Sequence, residues 1–309
     1  MESDNRKTIT MGYMPVITNL AAPLLDYASA KTKAKVRFKA LKFASFAEMA
    51  EALRNNEIQA AFIIAPLAIV LRQQGEDVKV VSIGNRHEST LVVQKAIGAT
   101  SLTNLIGKTI AVPMRYSGHN LGLLRAISEA GLTGQIDIVE MNPPDMASAL
   151  SSGALDAYFV GEPFAAQTLK SGTADLLFYA EKIWPGFICN LILVRQQLIQ
   201  QDEETVRYLV DGAVRSGLWA QRNLSQAAVI ASQYWGQPVD LVEYALNTPK
   251  GRIVFDQYTP VREELQQMAD LMLRYNLTTS ADIDGLIEDR FARQANTSGI
   301  SDVASILRE

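Results

Sequence analysis

Residues 142–165 read NPPDMASALSSGALDAYFVGEPFA, and they repeat an earlier stretch of the chain. Residues 45–68 read SFAEMAEALRNNEIQAAFIIAPLA, and 8 of the 24 pairs at an offset of 97 are identical. Four identities are alanine pairs, and the others fall at matching points of a helix–strand–proline unit: Met49/Met146, Leu53/Leu150, Phe62/Phe159 and Pro66/Pro163. We therefore predict two similar α/β units in tandem, rather than two unrelated helices of similar composition.

Strand-like and helix-like segments alternate around the first of these units, which predicts mostly parallel sheets flanked by helices. The predicted strands are Thr8–Tyr13, Val36–Phe43, Ala60–Ile64 and Val78–Ile83. The predicted helices are Ala21–Ala30, Ser45–Asn55 and Pro66–Gln74, and Ser45 with Glu48 forms a capping box. After about Glu203 only helices are predicted: Glu203–Arg222, Leu224–Trp235, Val239–Leu246 and Val261–Tyr275. The tail from Phe291 is weakly patterned, and we expect it to be frayed or docked on the surface.

Two apolar runs, Ser89–Gln94 and Cys189–Val194, fit neither repeat. We interpret them as crossover strands by which the chain enters a second lobe and returns. Lobe 1 is then discontinuous, with residues 6–88 plus 194–309 and the C-terminal helices, and lobe 2 is 92–190. The predicted fold is α/β with two lobes and two crossover hinge strands.

The composition argues against several classes of protein. The net charge of -4 and the pI near 5.4 disfavour nucleic acid or an anionic membrane surface as partner. No apolar run approaches the roughly 18 residues of a membrane helix. Residues 1–7 contain no hydrophobic signal segment, so the protein is either cytosolic or an export signal is missing from this sequence.

Catalytic and metal-binding chemistry has few candidates in this chain. Cys189 is the single cysteine and lies in an apolar run, so we expect a buried structural thiol. No Cys/His cluster suggests a metal, and no phosphate-binding or nucleotide-binding motif suggests a cofactor. His87 and His119 are the only histidines available to a catalytic triad. We predict no catalytic residue, no metal and no cofactor.

Two equivalent turns are expected to form a ligand site, because parallel α/β sheets bind ligands at the carboxyl ends of their strands. The first contains Thr18 and Asn19, and the second contains Ser117, Gly118, His119 and Asn120. Each precedes a helix, whose N-terminal N–H groups favour anions. Thr18 and Ser117 could contact the ligand or cap the helices, and His119 could face the cleft or cover the first turn.

Two further segments belong to the predicted site. The polar loop 84–90 contains Asn85, His87 and Ser89, and it is either a solvated loop with a surface Arg–Glu pair or part of the hinge mouth. Glu162 follows a strand and precedes a helix, so it is either a structural cap or a ligand contact.

The stretches 142–146, 153–157 and 161–163 resemble the signature of the nitrate/sulfonate/bicarbonate/taurine-type solute-binding proteins of ABC transporters. Residues 112–113, 117–120 and 284–291 resemble the same family. The resemblance implies a periplasmic-binding-protein-like fold, a small-molecule ligand between two lobes, a membrane permease as partner and no enzyme activity. It also implies a monomer that is periplasmic or anchored outside the cytoplasm, with an export signal preceding this sequence.

The resemblance also bears on the ligand. Nitrate binders of the family carry a histidine where this chain reads Ile183-Trp184-Pro185-Gly186-Phe187. Trp184 and other aromatic residues near the predicted turns suit an organic body or belong to the core. We therefore expect a small organic acid, a sulfonate or a heteroaromatic rather than nitrate or bicarbonate. The alternatives are a ligand-sensing domain for a signalling partner, or a cytosolic enzyme of the related branch that handles pyrimidine precursors.

Overall fold

The structure is a computed structural model that describes residues 4–307. Its strands are β1 (Lys7–Tyr13), β2 (Val36–Lys42), β3 (Ala60–Ile64), β4 (Val78–Ile83), β5 (Ser89–Gln94), β6 (Thr109–Val112), β7 (Asp137–Glu140), β8 (Ala157–Gly161), β9 (Ala174–Tyr179) and β10 (Asn190–Arg195). Its helices are α1 (Ala21–Lys31), α2 (Phe46–Arg54), α3 (Ala65–Gln73), α4 (Gly118–Glu129), α5 (Pro143–Ser151), α6 (Phe164–Ser171), α7 (Ala180–Ile183), α8 (Gln196–Gln201), α9 (Glu203–Arg222), α10 (Leu224–Trp235), α11 (Val239–Asn247), α12 (Arg262–Arg274) and α13 (Arg290–Arg293).

The strands of residues 4–307 form two five-stranded sheets, ordered β2-β1-β3-β10-β4 and β7-β6-β8-β5-β9. In the first sheet β10 is antiparallel to both neighbours, and the other four strands share one direction. In the second sheet β5 takes the same role. We call the part of the chain that carries the first sheet and the C-terminal helices lobe 1, and the part that carries the second sheet lobe 2. The prediction of mostly parallel sheets with two crossover strands is confirmed.

The internal repeat is visible in the bounds of the elements. At the predicted offset of 97, α2 coincides with α5 and β3 coincides with β8. The two crossover strands are also equivalent, because β10 has a register shift after Ile192 and β5 has one after Leu91. The two lobes are therefore related across the whole sheet core, including strands whose sequences show no similarity.

Two helix ends show how far local sequence signals determine where helices begin and end. The Ser45 hydroxyl accepts the N–H of Glu48 at 3.4 Å and caps α2. The exposed Glu48 side chain makes no return bond to the Ser45 N–H among the described contacts, so the predicted capping box is only half formed. Towards the other end of the chain, Asn276 lies two residues after α12 and has a φ of 58°, the left-handed conformation that commonly terminates a helix.

The C-terminal segment is docked on lobe 1 as far as the structure describes it. Phe291, Ile306 and Leu307 are buried, and the short turn Val303–Leu307 packs on α1 and α9. Of the two predicted states for the tail, docking is therefore the one observed, while residues 308–309 lie outside the described residues. In residues 4–307 no helix combines the length and the apolar character that crossing a membrane requires.

The lobes touch each other beyond the two crossovers. Helix α4 of lobe 2 packs against α12 of lobe 1, and α6 packs against α11. One hydrophobic core contains residues of both sheets, and a second fills the space between the first sheet and α1, α9, α10 and α11. The carboxyl ends of the parallel strands of both lobes thus face a common cleft.

Candidate functional site

Three of the predicted segments meet at one point between the lobes. The backbone N–H of Ile17, in the turn after β1, donates to the Glu162 carbonyl oxygen at 2.8 Å. The N–H of Glu162 donates in turn to the carbonyl oxygen of Glu88 at 2.9 Å. The first turn, the end of β8 and the loop before β5 are therefore in direct contact at the hinge.

Polar side chains from lobe 1 form one half of this hinge cluster. Thr18 Oγ1 donates to the carbonyl oxygen of Asn85 at 3.4 Å and accepts the N–H of Asn190 at 3.3 Å. The Asn85 amide donates to the Ile17 carbonyl oxygen at 2.7 Å. The Asn190 amide donates to Asn19 Oδ1 at 2.8 Å. Each predicted residue of this half is buried and bonded to neighbours in the protein, and only the Asn85 side-chain oxygen among their polar side-chain atoms has no partner within residues 4–307.

The half of the cluster around the start of the crossover strand β5 contains ionisable groups. Ser89 Oγ donates to Glu88 Oε1 at 2.7 Å and lies 2.8 Å from His119 Nε2. The other ring nitrogen of His119 and Glu88 Oε2 are buried without a hydrogen-bond partner in residues 4–307. Burial lowers the pKa of His119 to about 3, so its ring is neutral above that pH, and burial raises the pKa of the Glu88 carboxyl group. Burial also raises the pKa of the Cys189 thiol, which confirms the predicted buried cysteine.

Glu162 occupies the centre of the cluster as a cap. Its Oε1 accepts the N–H of Ala166 in α6 at 2.8 Å, and its Oε2 accepts the hydroxyl of Thr90 at 3.2 Å. Burial raises its pKa to about 7 against the opposing effects of these bonds and of nearby Arg252. The structural-cap interpretation of Glu162 accounts for both oxygens, and a ligand contact stays a prediction.

The turn before α4 is closed by packing. The Ser117 hydroxyl accepts the N–H of Asn120 at 3.1 Å and donates to the Met114 carbonyl oxygen at 2.6 Å, so it caps the helix. The Asn120 amide donates to the Arg115 carbonyl oxygen at 2.9 Å. A Cβ atom on Gly118 would lie 3.0 Å from the Phe187 ring. The glycine is therefore needed for the approach of the segment that precedes β10.

The loop 84–90 is not a solvated loop. Arg86 is buried and pairs with Glu264 of α12, donating from Nη2 at 3.0 Å, so the predicted surface Arg–Glu pair within the loop is wrong. His87 is half-buried, has a φ of 71°, and accepts the N–H of Gly186 on Nε2 at 2.8 Å. The polar residues of this loop therefore hold α12 and the segment before β10 against the hinge.

Trp184 lies away from the cluster. The guanidinium carbon of Arg125 lies 4.6 Å from the centroid of the Trp184 ring. The Trp184 and Phe187 rings pack edge to face, with 6.0 Å between their centroids. These contacts place it between α4 and α7, in a packing role that the sequence left open. Its contact with a ligand stays a prediction.

The hinge cluster offers a ligand almost no space. The cavity beside Thr18 and Asn85 has a volume of about 30 Å³, which is room for one water molecule. Ser89 and His119 have the spacing of a nucleophile and a base, but both are at most 1% exposed and the acid of the cluster binds the serine, not the histidine. No group of three or more His, Cys, Asp and Glu side chains in residues 4–307 is arranged to hold a metal ion.

A larger cavity, which we call the inter-lobe cavity, opens beside the hinge. Its volume is about 300 Å³. Both lobes line it, at the carboxyl ends of β1 and β2 and at the starts of α5 and α6. The lining residues are Pro15, Lys42, Phe43, Ala44, Pro144, Phe164, Trp235 and Gln237.

None of the residues predicted for the site lines this cavity. Lys42 ends β2 and Phe43 follows it, and the N–H of Phe43 donates to the Tyr13 carbonyl oxygen at 2.8 Å, which ties this corner to β1. Trp235 ends α10, and Gly236 at a φ of 67° turns the chain so that Gln237 follows over the cavity. Gly236 and Pro238 mark this turn in the sequence, but nothing local indicates that it faces lobe 2.

Two α/β lobes, two crossover strands and a cavity at facing strand ends define the fold of two-lobed solute-binding proteins. The chain belongs to the NMT1-like family, whose sequence model matches residues 2–233. A stretch of 122 residues is 33% identical to the taurine-binding periplasmic protein of Escherichia coli (strain K12) and covers 38% of this chain. The match spans 37% of that relative, little more than a third of its length.

Solved structures share the fold across nearly the whole chain. The ligand-binding component of an ABC-type import system from Staphylococcus aureus, with zinc bound, has a TM-score of 0.85 at 22% identity, covering 95% of this chain and 100% of that one. The nitrate-binding protein of Synechocystis PCC 6803 has a TM-score of 0.80 at 15% identity, covering 94% and 88%. The alkanesulfonate-binding protein of Xanthomonas axonopodis pv. citri, bound to MOPS, has a TM-score of 0.75 at 19% identity, covering 90% and 96%. The predicted resemblance to nitrate-, sulfonate- and taurine-binding proteins is confirmed.

Proposed function

We propose that this protein is the solute-binding component of an ABC importer, which traps a small ligand between its lobes and delivers it to a membrane permease. The inter-lobe cavity carries this proposal, because both lobes build it at the strand ends where α/β proteins bind ligands. The names of the relatives, which include taurine-, nitrate- and alkanesulfonate-binding proteins, support the same class. We propose a periplasmic location as well, because the relatives from Escherichia coli and Synechocystis are named as periplasmic proteins.

Hinge closure is the proposed mechanism. Residues 6–88 plus 194–309 would move as one rigid body and residues 92–190 as the other, about β5 and β10. The direct bond between Ile17 and Glu162 and the packing of α4 on α12 are the contacts that such a rotation would break and form. The protein would work as a monomer, since one chain supplies both walls of the cavity.

The proposed ligand is a small organic acid, sulfonate or heteroaromatic, ahead of nitrate or bicarbonate. Most of the cavity wall is apolar, and such a wall suits an organic body. Reversible binding without turnover is expected, because the serine–histidine pair at the hinge is closed to any substrate.

A thermal-shift screen tests this function. The panel contains nitrate, bicarbonate, taurine, alkyl and aryl sulfonates, carboxylates and pyrimidines. A ligand at 100 times its Kd should stabilise the protein by about 2.7 kcal/mol. The best ligand should also compact the particle in solution scattering and be recovered unchanged by mass spectrometry. Absence of stabilisation by every compound, or conversion of the ligand, would contradict the proposal.

A further inference from the structure

The inter-lobe cavity has an unusual charge pattern. Lys42 is the single charged residue among those that line it, and no carboxylate lies among them. Lys42 also forms no ion pair with any other residue in the range 4–307. Lys42 is exposed, so its attraction for an anion is that of a partly solvated and salt-screened cation, but an anion can pair with it without displacing a carboxylate. The cavity therefore favours a negatively charged group near Lys42.

Two hydrogen-bond donors accompany this cation. The indole N–H of Trp235 is buried and has no acceptor within residues 4–307. The Gln237 amide uses its oxygen to accept from Gln167 Nε2 at 3.4 Å, which leaves its NH₂ group to donate. A buried donor without an acceptor is rare in folded proteins. The Trp235 N–H has almost no accessible surface in this arrangement of the lobes, so a ligand oxygen becomes its acceptor when movement of the cavity wall exposes the ring nitrogen.

The rest of the cavity wall is apolar and favours an uncharged, apolar part of the ligand. Phe43, Phe164 and the Trp235 ring are aromatic, and Pro15, Ala44 and Pro144 complete an apolar surface. The cavity volume of about 300 Å³ is many times the roughly 10–15 Å³ that one water molecule requires on the same measure. Nitrate or bicarbonate would therefore leave much of the cavity to water. An aromatic ring with one acidic substituent would cover more of the apolar wall.

We propose that the inter-lobe cavity binds an aromatic monoanion, with its carboxylate or sulfonate paired to Lys42 and the Trp235 N–H. The ring packs between Phe43 and Phe164, so both lobes contact the ligand. This inference rests on the proposed solute-binding function and specifies its ligand. It also assigns a binding role to Trp235, which lies in the helical C-terminal part of the chain.

Calorimetric titration of the full chain tests the head group. The probes are benzoate, benzenesulfonate and benzamide, which is the neutral counterpart of benzoate. Benzamide should bind roughly tenfold more weakly than the two anions, because it lacks the charge that strengthens the hydrogen bonds. Lys42→Gln should lower the affinity for both anions by a similar factor and leave benzamide unaffected. Lys39→Gln is the matched control, since Lys39 is exposed on the same strand and lies outside the cavity.

The aromatic wall is tested in parallel. Trp235→Phe keeps a ring but removes the N–H, so it should weaken both anions several-fold, whereas Trp184→Phe should not. Equal binding of benzamide and benzoate, or equal anion affinity in Lys42→Gln and the wild type, would overturn the inference. If neither aromatic anion binds but taurine or an alkyl sulfonate does, the inference fails and the solute-binding function stands. If no compound of the thermal-shift panel binds, both fail.

Discussion

The buried carboxyl group of Glu162 should make the stability of this protein depend on pH. Burial raises its pKa from 4.5 to about 7 in the folded protein. Unfolding returns the group to water, where its pKa is ordinary. Its contribution to stability is therefore fully present below pH 4.5 and is lost as the pH rises through about 7.

The size of the effect follows from this difference. A shift of about 2.5 units corresponds to about 3 kcal/mol between pH 4 and pH 8, at about 1.4 kcal/mol per unit. Glu162→Gln should remove this loss, because glutamine is neutral at every pH. Its amide oxygen can still accept the Ala166 N–H, and its NH₂ group can donate to the Thr90 hydroxyl. The variant should match the wild type near pH 4 and be more stable by about 3 kcal/mol at pH 8.

Denaturant unfolding of both proteins from pH 4 to pH 8 measures this difference. Glu88 also has a raised pKa, so the variant should keep part of the pH dependence of the wild type. The comparison between the two proteins isolates Glu162. Glu129→Gln, at an exposed position of α4, is the control and should show no trend with pH. A constant difference between Glu162→Gln and the wild type from pH 4 to pH 8 would refute the raised pKa.

Three other substitutions address the helix cap, the tight turn and the hinge. Ser117→Ala should lower the free energy of unfolding by about 1 kcal/mol through loss of the α4 cap, and calorimetry should show an unchanged ligand Kd. Gly118→Ala should cost about 1–3 kcal/mol in denaturant unfolding, because its Cβ would lie 3.0 Å from Phe187. Gly122→Ala should cost less, because its Cβ would meet the flexible end of Ile183 at 3.2 Å and the Trp184 ring at an ordinary contact distance of 3.5 Å. Spin labels can be attached at Glu48→Cys on α2 and Asp145→Cys on α5, which are both exposed positions. The distance between the two labels should shorten when ligand binds. The native Cys189 is buried and should not react with the label. Distances unchanged by a saturating ligand would contradict hinge closure.

The sequence predicted the architecture well because the repeat carries it. The offset of 97 aligns α2 with α5 and β3 with β8, and the crossover β5 has its predicted bounds. Strand β9 was not predicted, since it lies beyond the repeated unit and has no equivalent in the matched stretch. Strand β7 was also missed, because an edge strand of four largely exposed residues has little apolar pattern.

The candidate site was predicted less completely. The general rule for strand ends selected the turns at Thr18 and Ser117, and the structure does bring them towards the hinge. The rule cannot indicate which strand ends are covered by neighbouring side chains, because this depends on packing between distant segments. The cavity is lined instead by the end of β2 and by the turn at Trp235, more than 190 residues later. Its position depends on how the C-terminal helices dock.

The two halves of the hinge are equivalent in backbone but different in chemistry. The N–H of Ala65 donates to the Cys189 carbonyl oxygen at 3.0 Å, and at the equivalent position the N–H of Glu162 donates to that of Glu88 at 2.9 Å. The chain thus has an alanine at the start of α3 and a thiol before β10, where the equivalent positions before α6 and β5 carry the carboxyl groups of Glu162 and Glu88. Glu88 Oε2 and the free nitrogen of His119 would gain water as partners if the lobes separated, and this hydration favours opening. A ligand that bridges the lobes must outweigh this gain, so we expect the ligand-free protein to open more readily as Glu88 and Glu162 ionise.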